Sequence, residues 1–76
     1  MAKILIVDDD PHLIELLSEI LELLGYNSEF ITKPKFLFQI LENESFDLIL
    51  MDYYMPEIDG VSLLRELKAH PLYNHI

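Results

Sequence analysis

Apolar and polar positions alternate in blocks along this chain, and each block has the period of one kind of element. Ile4-Leu5-Ile6-Val7, entered through Lys3, is a β-branched apolar run that predicts a strand over 3–7 buried on both faces. It stops at Asp8-Asp9-Asp10-Pro11. Asp10 can cap a helix there, and Pro11 suits its first position, where no backbone donor is needed. Leu13, Leu16, Leu17, Ile20, Leu21 and Leu24 then recur at helical spacing, opposite Glu15, Glu19 and Glu22. They predict a helix over 11–24 with an apolar core face, ended by Gly25 as a left-handed cap.

The alternation repeats twice more. A short strand is predicted over 27–31, and Pro34 opens a helix over 34–43 with Phe36, Leu37, Ile40 and Leu41 inward. Phe46 to Met51 is a second apolar run and predicts a third strand over 46–51. Pro56 and Gly60 mark the stretch after it as a loop. A third helix is expected over 61–70, with Leu63, Leu64 and Leu67 inward, Lys68 and His70 near its negative end, and Pro71 as its stop. Strands alternating with helices imply an α/β fold with parallel strands and right-handed crossovers. All three strands then end on one edge of the sheet, where open α/β sheets bind ligands. In the order 2-1-3, strands one and three are neighbours, and Asp8, Asp9 and Asp52 come together.

Composition narrows the class. Seventy-six residues allow one small domain with a marginal core. Five Lys and Arg against fourteen Asp and Glu give a net charge of -9, which argues against direct contact with nucleic acid or an anionic membrane surface. There is no cysteine, so neither a disulfide scaffold nor a thiolate metal site is available. The first apolar run is too short for a signal peptide or a membrane span, and a cytoplasmic location is expected.

The candidate chemistry lies in the carboxylates. Two unit charges about 4 Å apart repel by roughly 4 kcal/mol at an effective dielectric near 20, so three close carboxylates call for a cation or raised pKa values. Oxygen ligands without Cys or convergent His suit Mg²⁺, Mn²⁺ or Ca²⁺ rather than zinc. The remaining polar residues have plainer readings. Asp10 is a cap, Glu57 a solvated loop residue, and Asp59 a turn residue and helix cap. His12, His70 and His75 share no ligand spacing and read as surface residues.

Two segments together resemble the receiver domain of two-component response regulators. Ile4-Leu-Ile-Val-Asp-Asp-Asp-Pro11 is similar to its first strand and acidic pair. Phe46-Asp-Leu-Ile-Leu-Met-Asp-Tyr-Tyr-Met-Pro-Glu-Ile-Asp-Gly60 is similar to its third strand, phosphoacceptor and following loop. The resemblance implies the flavodoxin-like receiver fold, with three parallel βα units in the order 2-1-3 of the usual five. It implies a phosphorelay protein, not a conventional enzyme, that takes a phosphoryl group from a sensor histidine kinase or phosphotransfer protein onto Asp52. Asp9 then corresponds to the direct Mg²⁺ ligand, Asp8 to its acidic neighbour, Asp52 to acceptor and ligand, and Tyr54 to a ligand through its backbone carbonyl. Mg²⁺ is the implied cofactor, with Mn²⁺ as a substitute, and an output domain or partner protein is the implied recipient of the signal.

The match stops short of the family's fourth strand. The Ser/Thr of that strand and the Lys of the fifth are not in this sequence, and residues 1–76 are expected to form a truncated receiver. Its third strand would become an exposed apolar edge, Leu48 to Met51, that invites self-association. The alternative function is a non-phosphorylated receiver fragment or pseudo-receiver acting only as a protein-interaction module. A phosphatase of the haloacid dehalogenase type would need Asp at position 54, where Tyr54 stands. A Rossmann-like nucleotide site would need glycine where three aspartates lie.

Overall fold

The computed structural model describes residues 2–52 and 60–76. Its elements are β1 (Lys3–Val7), α1 (Pro11–Leu23), β2 (Asn27–Ile31), α2 (Leu37–Asn43), β3 (Leu48–Met51) and α3 (Gly60–Ala69). The strands form one parallel sheet in the order β2-β1-β3. Lys3 to Val7 run in register with Asn27 to Ile31 on one side, and Ile4 to Val7 with Leu48 to Met51 on the other.

This order reverses direction at β1. Because parallel crossovers are right-handed, stepping one way and then the other sends successive helices to opposite faces. α1 therefore covers one face, where Ile4 and Ile6 pack with Ile14 and Leu21. α2 and α3 cover the other, where Leu5 and Val7 pack with Leu37, Leu41, Phe46, Leu63 and Leu67. β1 is the shared wall, and its residues Ile4 to Val7 are all buried, as a strand between two helical layers must be.

The ends of α1 follow local chemistry. Asp10 Oδ1 accepts hydrogen bonds from the His12 and Leu13 amides at 2.9 and 3.4 Å, and Pro11 begins the helix. Gly25 takes φ 87°, a left-handed conformation that a Cβ would disfavour. Replacing Asp10 by Ala should cost about 1 kcal/mol relative to Asp10→Asn, which keeps the capping oxygen. Urea unfolding of the two variants measures the difference, and equal midpoints would show that the cap contributes nothing.

Several expectations need correction. α1 ends at Leu23, with Leu24 as its cap residue. Its inward face is Ile14, Leu17 and Leu21, while Leu13, Leu16, Ile20 and Leu24 are exposed. The leucine stripe is wider than the one sheet surface beneath it, so only its centre is covered. The segment predicted as a helix over 34–43 starts with a 3₁₀ turn, Pro34–Phe36, which leaves Phe36 exposed. β3 begins at Leu48 rather than 46, because Phe46 leaves the strand line and inserts into the α2–α3 core. In α3 Leu64 is exposed, while Leu63 and Leu67 are buried. His70 is half-buried in a three-ring cluster, its centroid 5.7 Å from Phe38 and 4.4 Å from Tyr73, whose rings are 6.1 Å apart, whereas His12 and His75 lie at the surface as expected.

No helix among the described residues is long and apolar enough to cross a membrane.

Candidate functional site

The reversal at β1 creates a crevice beyond the carboxyl ends of β1 and β3, because the connections leaving these neighbours turn to opposite faces. Two backbone bonds carry the sheet one residue past the strands and fix the side chains there. The Asp8 amide donates to the Ile31 carbonyl at 3.2 Å, and the Asp52 amide to the Val7 carbonyl at 2.9 Å. Asp8 is thus tied to β2 and Asp52 to β1, while Asp9 follows on the exposed turn into α1.

One carboxylate oxygen from each of Asp8, Asp9 and Asp52 lies within 4.8 Å of the other two. Asp8 is buried, Asp52 half-buried and Asp9 exposed. The Asp8 Oδ1 also accepts a hydrogen bond from the Asp10 amide at 2.9 Å, which locks its rotamer at the start of the turn. Burial pushes the Asp8 carboxyl above its ordinary pKa, and the charges of Asp52, Asp9 and Asp10 push it further. Only the hydrogen bond from the Asp10 amide acts the other way.

Three oxygen donors, one of them a buried carboxylate held against its neighbours' charge, fit a hard divalent cation such as Mg²⁺ or Mn²⁺. The expected ligands Asp8, Asp9 and Asp52 come together here. Tyr54 lies outside the described residues, as do Glu57 and Asp59. The burial of Asp8 was not evident in its sequence context, since an acidic triplet before a proline reads as an exposed turn. The signal that finds it is the neighbouring pair of buried strands, which draws the first residue beyond β1 into the crevice.

The raised pKa has a thermodynamic sign. A carboxyl that holds its proton more tightly in the folded state binds more protons there than in the unfolded chain, between the two pKa values. Its stabilisation is complete below the ordinary carboxylate value and is lost as pH rises through the raised one. At neutral pH the ionised Asp8 is therefore a net cost to the metal-free fold. Asp8→Asn, which keeps an oxygen for the Asp10 amide, should be more stable than the parent at neutral pH. The gain should vanish toward about pH 3. Millimolar Mg²⁺ should raise the melting temperature of the parent more than that of the variant. Thermal unfolding across this pH range decides it, and a variant less stable than the parent at neutral pH would contradict the assignment.

Comparison with known proteins follows this geometry. Residues 4–76 match the family model described as the response regulator receiver domain. The chain is 44% identical over 68 residues to a transcriptional regulatory protein CpxR homolog of Haemophilus influenzae, an alignment covering 90% of this chain and 30% of that protein. It therefore spans about a third of the length of this relative. Among solved structures, the N-terminal domain of a response regulator receiver protein from Methanoculleus marisnigri superposes with TM-score 0.94 at 29% identity, covering 100% of this chain and 62% of that one. Response regulator TrrA of Thermotoga maritima, solved in complex with Mg²⁺ and BeF, superposes with TM-score 0.83 at 32% identity, covering 90% and 59%.

Proposed function

The chain belongs to the response regulator receiver domain family, and from that premise we propose that it is a Mg²⁺-dependent phosphoacceptor of a cytoplasmic phosphorelay. Asp52 is the acceptor. A carboxylate oxygen of Asp52 attacks the phosphorus of a phosphohistidine on a sensor kinase or phosphotransfer protein. An O–P bond forms as the N–P bond breaks, and the imidazole nitrogen leaves. The result is an acyl phosphate, whose easy hydrolysis suits a transient signal. The chain's role is regulatory, and its part in the chemistry is confined to transfer onto and off its own side chain.

The observation that carries this reading is the convergence of Asp8, Asp9 and Asp52 within 4.8 Å at the sheet's reversal point. Asp9 and Asp52, with the buried Asp8 behind them, are the residues that would hold Mg²⁺, and the Tyr54 carbonyl is assigned to the same ion by family resemblance. Held there, the cation would offset the repulsion between the incoming phosphoryl group and the carboxylates. Asp52 supplies the nucleophile on a rigid strand end, so in-line approach needs no reorganisation of the acceptor. The intact acidic trio favours this reading over an interaction-only module. The Mg²⁺–BeF complex of the Thermotoga relative is consistent with it.

The test is incubation with a small acyl phosphate or phosphoramidate donor, with Mg²⁺ and with chelator. Incorporation of one phosphoryl group per chain, seen by intact mass and lost with chelator, is the expected result. A chain that stays unmodified in excess donor and Mg²⁺ would defeat the proposal.

A further inference from the structure

The β2 side of the sheet is the edge that a longer chain leaves free. The flavodoxin-like strand order is 2-1-3-4-5, so further strands add beyond β3 and β2 stays outermost. Among the described residues β2 pairs only with β1. The Asn27 amide donates to the Ala2 carbonyl, and the Ile31 carbonyl accepts from the Asp8 amide, both on the β1 side. Strand alternation therefore turns the backbone amides and carbonyls of Ser28 and Phe30 outward. The strand reads Asn-Ser-Glu-Phe-Ile, without the lysine or proline that commonly guards an edge.

A groove of about 350 Å³ runs between this edge and α1, lined by the buried Ile14 and by Phe30, which is 56% exposed. Glu15, Glu19 and Glu22 line its α1 side at i, i+4 and i+7, a stripe about 10 Å long. These charges stand at a cost to the helix. Glu15 and Glu19 are like charges one turn apart, and Glu22 lies in the last turn, at the negative end of the macrodipole. α1 contains no Lys or Arg, and none of the three carboxylates makes an ion pair or hydrogen bond among the described residues. Cations from another molecule would offset both penalties. On the other face of the edge, a second groove is lined by the apolar Ile31, Phe36 and Ile40 beside Gln39, Asn43 and Glu44.

We propose that the β2 edge is a docking site for an extended basic segment of a partner protein, which joins the sheet as a strand beside β2. The backbone of that segment exchanges hydrogen bonds with Ser28 and Phe30, and its side chains alternate between the two faces. On the α1 face, its cations pair with Glu15, Glu19 and Glu22, and one guanidinium stacks on the Phe30 ring. On the α2 face, its apolar side chains cover Ile31 and Phe36. The occupant is thus a sequence in which Arg or Lys alternates with apolar residues. A net charge of -9 steers such a segment toward the chain and disfavours a second copy of the chain in its place. The proposal is independent of the phosphoacceptor reading, because no residue of the carboxylate cluster takes part.

Titration of the chain with a capped peptide alternating arginine with valine, followed by amide nitrogen–proton spectra, tests it. Saturable binding is expected, with shifts centred on residues 15–22 and 28–30 and slowed hydrogen exchange at the Ser28 and Phe30 amides. Glu19→Gln and Phe30→Ser, both at exposed side chains, should each weaken binding about two- to fivefold. Methylation of every backbone nitrogen of the peptide should abolish it. Absence of saturable binding would overturn the proposal, as would equal affinity for the methylated peptide. Unchanged affinity in Phe30→Ser, with shifts centred on Asp8, Asp9 and Asp52, would overturn it in favour of charge attraction alone.

Discussion

An Asp52→Asn chain is expected to take up no phosphate from a small donor under conditions that fully modify the parent, while keeping its fold. The amide nitrogen of asparagine is not a nucleophile at neutral pH, and the remaining oxygen has lost the charge that attacks phosphorus. The structural tie at this position is a backbone bond, Asp52 amide to Val7 carbonyl at 2.9 Å, which the substitution leaves in place. Removing the Asp52 charge also relieves one of the groups that raise the Asp8 pKa, so the metal-free variant should be slightly more stable than the parent near neutral pH. Asp9→Asn probes the same site from its exposed side. Groups that only support a metal ligand cost about 10–100-fold in affinity when removed, so loss of a direct ligand should raise the Mg²⁺ needed for half-maximal modification by at least that factor. Intact-mass kinetics against Mg²⁺ concentration measure both effects. Persistent modification of Asp52→Asn would move the acceptor elsewhere and undo the functional reading.

Leu5→Ala is expected to have the largest effect on stability. Leu5 is fully buried in the central strand, between Glu29 and Ile49 in register, and joins the cluster with Leu37, Leu41, Phe46, Leu63 and Leu67. Truncating a buried leucine costs about 2–5 kcal/mol. At roughly 0.05–0.15 kcal/mol per residue, a domain of this size holds on the order of 4–11 kcal/mol in all. The variant should therefore lose a large share of its stability, and at the lower end of that range it should be unfolded at room temperature. Leu23→Ala, at a side chain already in solvent, should change stability by less than about 0.5 kcal/mol. Urea titrations of the three chains at one protein concentration decide this. A Leu5→Ala midpoint close to the parent's would mean that the two-layer core does not depend on β1.

The acidic trio was legible in the sequence because Asp8 and Asp52 directly follow apolar runs and Asp9 adjoins Asp8. A carboxylate ending a buried strand has a defined address in a parallel sheet, namely the carboxyl edge. Two such addresses on adjacent strands define a site. The fate of the leucines in α1 was not legible in the same way. Leu13, Leu16 and Ile20 carry the same helical period as Leu17 and Leu21, and periodicity tells which side of a helix is apolar but not how wide a surface will cover it. The 3₁₀ turn at Pro34–Phe36 and the late start of β3 have a similar origin. Local propensity allows strand or helix there, and the need to insert Phe46 and Leu37 into one core decides between them.

By itself the amino-acid sequence determined the order of elements, the parallel sheet and the three carboxylates at its carboxyl edge, since hydrophobic period and turn chemistry are local properties. Tertiary structure alone decided which leucines of α1 are covered, Leu17 and Leu21 but not Leu13 or Leu16. It decided the burial of Asp8, and with it the raised pKa, because desolvation depends on what packs around a group and not on what precedes it in the chain. Each strand and helix is specified by neighbours a few residues away, but exposure is a property of the whole assembly, settled only when every face has found or failed to find a partner.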